Sequence, residues 1–168
     1  VIGMGNIGRL VARYGSALGM IPLGHDPLVS ADQIQDNGAE PVTLEELFAR
    51  SDFITLHIPL TPETRGLINQ HSLSLMKRGV RLICTARGGI IDEPALLAAL
   101  ESGQVAGAAL DVFAQEPPVF SDLVAHPGVI ATPHIAAQTE EAQKRAAEDI
   151  AAEVLAALRG EPLRWKIG

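Results

Sequence analysis

The sequence predicts an α/β fold built on a doubly wound parallel sheet, and three observations carry that prediction. The chain opens with Val1-Ile2 running into Gly3-Met4-Gly5-Asn6-Ile7-Gly8, a G-x-G-x-x-G spacing between a strand and a helix. Short apolar runs then alternate with helical stretches to the end, the pattern of parallel strands joined by crossover helices. Hydrophobic residues make up 47% of the 168 but aromatics only 4%. Such an interior is mostly Ala, Val, Ile and Leu, as suits a buried parallel sheet under close-packed helices. Together these define a Rossmann-type arrangement, and the length fits a single domain, residues 1–168.

The glycine loop has a physical logic. Gly3 permits the tight turn, Gly5 lets the backbone approach a pyrophosphate, and Gly8 lets the helix Arg9 to Leu18 lie close on the sheet. An ordinary tight turn gives the same spacing, so the second strand matters. Met20 to Leu23 is apolar and ends in Gly24-His25-Asp26, which puts a carboxylate where a ribose 2′-hydroxyl is held. No arginine follows in Pro27-Leu28-Val29-Ser30, so a 2′-phosphate would meet uncompensated negative charge. The expectation is NAD rather than NADP. The plainer reading of Asp26 is the start of an Asp-Pro turn.

A short polar helix follows over Ala31 to Asn37, with Gly38 at its end. Thr43 and Glu46 form a capping box for the next helix, with Val42 placed to staple onto Leu47. Asp52 to Ile58 reads as a strand stopped by Pro59, and Leu60 to Arg65 as a loop. A short helix near Gln70 to Met76 leads to the strand Val80 to Cys84. Asp92 caps a helix with Pro94 in its first turn, ending at Gly103. Val105 to Asp111 is a small-residue strand expected inside the sheet, and Gly128 to Thr132 is the last strand. Thr139 to Leu158 is a long alanine-rich helix, with Glu140 and Glu141 at its positive end and Arg159 at the other. Its stripe of Ile150, Val154, Leu155 and Leu158 is expected to be core. The opening strand, only Val1-Ile2, is expected to fray.

Charge and cysteine content exclude several classes. A net charge of −7 argues against nucleic acid or an anionic membrane as partner. The single cysteine, Cys84, excludes an internal disulfide framework, and no zinc-binding pattern appears, so no metal is expected. No apolar run reaches the length of a membrane span and no signal-peptide pattern appears, which leaves a cytoplasmic location as the default.

Ligands of open α/β sheets bind beyond the carboxyl ends of strands. Those ends collect His57, the run Thr85-Ala86-Arg87-Gly88-Gly89, Asp111, Glu116 in the following loop, and His134. Arginine, histidine and glutamate on one rim suggest acid/base chemistry beside an anion site. Each also has a plainer reading. Arg87 suits a solvated Gly-rich turn, His134 a cap for the helix that follows, and Glu116 the loop surface before Pro117-Pro118.

The stretches Val1 to Gly8, Ser51 to Thr64, Thr85 to Glu93, Ala109 to Phe113, Glu116-Pro117 and Thr132 to Ala136 resemble the cofactor domain of the D-isomer-specific 2-hydroxyacid dehydrogenases over essentially the whole chain. The resemblance implies that Arg87, Glu116 and His134 form the catalytic set. Arg87 would bind the substrate, His134 would act as acid and base, and Glu116 would orient it. It places Asn6 and Ile7 at the pyrophosphate, Asp26 at the adenosine ribose, and His57 and Ile58 along the adenine half. Thr85, Ala86 and Arg87 would flank the nicotinamide, with Asp111 at its carboxamide and His134, Ala136 and Ala137 completing that wall.

One departure is Cys84, where the family more often carries asparagine; at the end of a buried strand it reads as supporting rather than nucleophilic. The stretch His134 to Gln143 is similar to that of the branch acting on D-3-phosphoglycerate, which points to that substrate among 2-hydroxy and 2-keto acids. By the same resemblance the chain is a fragment lacking the separate substrate domain, and the intact protein is a homodimer. The alternative is an NAD-sensing interaction protein, like the corepressors built on this scaffold.

Overall fold

Parallel strands need a crossover between them, and the sequence supplies a helix or a long loop each time. The computed structural model describes residues 1–118 and 122–165. They fall into two compact units, Val1–Pro133 and His134–Gly168. In the first, α1 (Gly8–Ala17), β1 (Leu23–Gly24), α2 (Ala31–Asp36) and β2 (Glu40–Pro41) come first. Then come α3 (Leu44–Arg50), β3 (Phe53–Leu56), α4 (Gln70–Leu75), β4 (Val80–Cys84), α5 (Glu93–Glu101), β5 (Val105–Leu110), α6 (Asp122–Ala125) and β6 (Val129–Ala131). The second unit holds α7 (Glu140–Leu158).

All strand pairings are parallel: β1 with β2, and β3, β4, β5 and β6 in that order. Ile2 bridges His25 on one side and Leu56 on the other, which joins the two ladders. The order is therefore β2-β1-Ile2-β3-β4-β5-β6, and the sheet winds outward in both directions from the opening strand. That strand is short but does not fray. Ile2 donates to the Thr55 carbonyl at 2.9 Å and accepts from the His57 N–H at 2.8 Å, while Gly3 donates to His25 at 2.8 Å. At 2% exposure Ile2 is also part of the core.

The core lies between β3, β4 and β5 and the helices on them, with Ile54, Leu56, Leu82, Leu47, Ile68 and Leu96 among its fully enclosed side chains. Local signals hold the helix starts. Thr43 N–H donates to Glu46 Oε2 at 2.9 Å and Glu46 N–H to Thr43 Oγ1 at 3.2 Å, the expected reciprocal box. Asp92 accepts from Ala95 N–H at 3.1 Å, and Thr139 from Ala142 N–H at 3.1 Å. Several observed ends fall one or two residues inside the expected ones, where terminal pairing is lost first. Two elements have no counterpart in the sequence reading: β2, a two-residue edge strand containing Pro41, and the four-residue α6.

A second expectation is overturned. Ile150, Val154, Leu155 and Leu158 are not core, since no residue of α7 is buried. The described residues from His134 onward contain no strand and only this helix, so their own unit offers α7 no apolar layer to cover its stripe. No helix among the described residues is long and apolar enough to cross a membrane.

The two environments make opposite forecasts for one type of substitution. Ile54→Ala, at 0% exposure, is expected to cost about 2–5 kcal/mol in urea unfolding of this chain. Ile150→Ala, at 65% exposure, is expected to stay within about 0.5 kcal/mol of the parent.

Candidate dinucleotide site

The winding direction reverses at Ile2, so a crevice opens beyond the carboxyl ends of its strand, β1 and β3. The glycine loop fills the base of that crevice. Gly3 has φ +90°, and a Cβ there would press into the His57 carbonyl and to 2.8 Å from Ile58 Cγ2. A Cβ on Gly8 would collide with the Gly3 carbonyl oxygen. Around Gly5 there is no protein atom within 4 Å of such a Cβ, so the loop faces open space there.

The helix that follows differs from its neighbours. Ile7, at the N-cap of α1, makes no side-chain cap and the first turn carries no acid, whereas Ser30, Thr43, Asn69, Asp92 and Thr139 cap α2, α3, α4, α5 and α7. Uncapped N–H groups at the positive end of a helix dipole suit an anion.

Asp26 stands at the tip of β1. Its Oδ2 accepts from Met4 N–H at 2.8 Å and its Oδ1 from Leu28 N–H at 2.9 Å. The first bond, which the sequence did not reveal, ties the acid to the glycine loop. Each carboxylate oxygen retains a further lone pair for a ribose hydroxyl. Beside it lies a cavity of about 560 Å³, with Glu45 and Glu46 but no lysine or arginine in its lining. A 2′-phosphate has no cation to meet there. The open Gly5, the α1 start without a side-chain cap and this acidic lining fit NAD.

His57 and Ile58 follow β3. His57 Nε2 and Thr55 Oγ1 share a hydrogen bond of 2.9 Å. Burial holds the imidazole below its ordinary pKa.

Further along the rim, two loops meet backbone to backbone. A Cβ on Gly88 would collide with the Phe113 carbonyl, so the Thr85–Gly89 turn packs directly on the Asp111–Glu116 loop. Arg87 is exposed, and its Nη1 donates to the Ala86 carbonyl at 2.6 Å. Glu116 Oε1 accepts from Phe113 N–H at 3.2 Å. Asp111, 3% exposed, accepts from Thr132 Oγ1 at 2.6 Å, and its N–H donates to the Cys84 carbonyl at 2.9 Å. Ala114 N–H donates to Glu93 Oε1 at 2.6 Å. Thr132 and Glu93 were missed as site residues, although both lie inside motifs already singled out. Burial pushes the Cys84 thiol up, which disfavours the thiolate and agrees with a supporting role.

The first unit thus assembles Gly3, Gly5, Asn6, Ile7, Gly8, Asp26, His57 and Ile58 around the switch point. It also places Thr85, Ala86, Arg87, Asp111 and Glu116 on two touching loops. His134, Ala136 and Ala137 open the second unit and are described within it alone. His134 takes φ +55°, the left-handed region that few residues other than glycine adopt.

A parallel sheet with an uncapped glycine-loop helix at its switch point defines the dinucleotide-binding class. The profile of the family described as D-isomer specific 2-hydroxyacid dehydrogenase, NAD binding domain, matches residues 1–136, and the chain belongs to that family. It is 50% identical over 163 residues to the D-3-phosphoglycerate dehydrogenase of Bacillus subtilis and 47% identical over 163 to that of Homo sapiens. Each alignment covers 97% of this chain and 31% of the relative, so the chain spans about a third of their length.

Among solved structures, a glyoxylate reductase from Paecilomyes thermophila superposes with TM-score 0.89 at 41% identity, over 96% of this chain and 49% of that one. A D-lactate dehydrogenase from Aquifex aeolicus, complexed with NAD and lactic acid, gives TM-score 0.85 at 39% identity, over 95% and 53%.

Two glycine variants separate folding from cofactor binding. Gly5→Ala meets only open space, so unfolding should be unchanged while NADH fluorescence titration shows affinity about tenfold weaker, or 1.4 kcal/mol. Gly8→Ala should lose both. His57 makes a separate forecast for pH. Its folded pKa is lowered, so its neutral form contributes stability above the unfolded value near 6.5. That contribution is lost as pH falls through the folded value. Urea midpoints of the parent should fall more steeply below about pH 6.5 than those of His57→Gln.

Proposed function

We propose that this chain is the cofactor-binding part of an NAD-dependent oxidoreductase that moves hydride between a D-2-hydroxy acid and NAD, with D-3-phosphoglycerate as the substrate. The observation that carries the reading is the packing of the Arg87 turn on the Glu116 loop at the carboxyl rim of an NAD-binding sheet. Identities of 47–50% to D-3-phosphoglycerate dehydrogenases support the choice of acid.

A 2-keto acid presents a carboxylate and an adjacent carbonyl. Arg87 offers planar, paired N–H donors that bind the carboxylate and polarise the carbonyl. NAD, when bound, supplies the hydride carrier. His134 then delivers a proton to the oxygen that becomes the hydroxyl, and takes that proton back in the oxidative direction. By the family resemblance, Glu116 would orient the imidazole and favour its protonated form. Asp111, buried and held by Thr132, would receive the amide group of the nicotinamide.

The test is turnover of D-3-phosphoglycerate by the full-length gene product, followed as NADH absorbance. His134→Ala should lower kcat by about 10²–10⁴-fold with NADH affinity retained. Arg87→Lys keeps the charge but loses the fork, and should raise KM for the acid as well as lowering kcat. Unchanged turnover in His134→Ala would remove the assignment.

A further inference from the structure

Glu93 sits at the first position of α5, yet its carboxylate does not serve its own helix alone. Oε1 reaches across to accept the Ala114 N–H at 2.6 Å, a contact between residues 21 apart in the chain. The cap of α5 comes instead from Asp92, which accepts from Ala95 N–H. Ala114 belongs to the loop that ends in Glu116, and that loop is gripped at two further points. Gly88 lies flat against the Phe113 carbonyl, where a Cβ would not fit and would also approach Ala114 N to 2.9 Å. Phe113 N–H donates to Glu116 Oε1 at 3.2 Å.

Successive N–H groups of the loop, on Phe113 and Ala114, are thus taken by two different carboxylates, one from within the loop and one from α5. Of the two acceptors, Glu93 is the one anchored on a helix.

We infer that Glu93 is a positioning residue: it fixes the Ala114 backbone so that the Glu116 carboxylate is held at the height of the Arg87 turn. The inference deepens the proposed function and rests on Glu116 orienting His134 in that reaction. A carboxylate whose loop is free to shift by an ångström loses most of its value in orienting a ring, because proton transfer depends steeply on alignment. The acceptor atom is what matters at Glu93, so an amide carbonyl would serve nearly as well as a carboxylate.

The experiment compares Glu93→Ala and Glu93→Gln with the parent in the full-length protein, by amide hydrogen exchange at Ala114 and by steady-state kinetics with D-3-phosphoglycerate and NAD. Glu93→Ala should exchange at Ala114 about tenfold faster and lower kcat about tenfold, with KM for NAD unchanged. Glu93→Gln should restore both towards the parent. Exchange at Ala114 unaltered in Glu93→Ala would overturn the inference, as would a kcat that follows only the folded fraction. Faster exchange in a protein whose parent turns over no 2-hydroxy acid would overturn the proposed function while leaving the brace intact.

Discussion

The two halves of this sheet share one residue of strand. Ile2 pairs with His25 on one side and Leu56 on the other, and its neighbours Val1 and Gly3 complete the hydrogen bonds. Each such bond contributes about 1 kcal/mol net, but an unmade one in this position would leave a buried polar group without a partner, at a cost of about 1–3 kcal/mol. The opening strand is therefore held far more firmly than its length suggests. Its position decides the rest: Gly3 emerges between the tips of β1 and β3, so Asp26 and His57 flank the same crevice.

Close backbone approach is the second constraint, and it follows from the first. With three strand ends converging, the glycine loop has no room for side chains at Gly3 and Gly8, yet keeps open space at Gly5. The same device recurs where the Arg87 turn meets the Asp111 loop, through Gly88. Both places bring N–H groups and charged side chains to the rim without filling it. Capping follows an opposite logic. Five helices have a side-chain cap at their N-terminus, whereas α1 has none, and its Arg9 and Leu10 N–H groups reach only the Gly5 and Ile7 carbonyls.

Much of this was legible because it is local. The capping box of Thr43 and Glu46 needs only a three-residue spacing, and the strand Val80 to Cys84 needs only five apolar-rich residues before a Gly-rich turn. The glycine spacing likewise announced its own turn. What stayed hidden depends on segments far apart. The bond from Asp26 to Met4 spans the first helix, and those from Glu93 to Ala114 and from Thr132 to Asp111 span other elements. β2 has two residues, too few for any alternation to register. The α7 stripe misled for a different reason: periodicity reports that a face is apolar, not that a layer exists to cover it.

If the ribose lies at Asp26, as proposed, fold and selectivity share one side chain. As a loop brace it needs an acceptor aimed at Met4 N–H, which a carboxylate or an amide oxygen provides. As a filter against a 2′-phosphate it needs negative charge, which only the carboxylate provides. The two demands coincide in aspartate, and the acidic lining of the neighbouring cavity reinforces the second. A small neutral residue would relax that filter but also release the glycine loop at Met4. On that placement, cofactor preference is not a free surface choice, because it is bound to the hydrogen bond that ties Asp26 to the glycine loop.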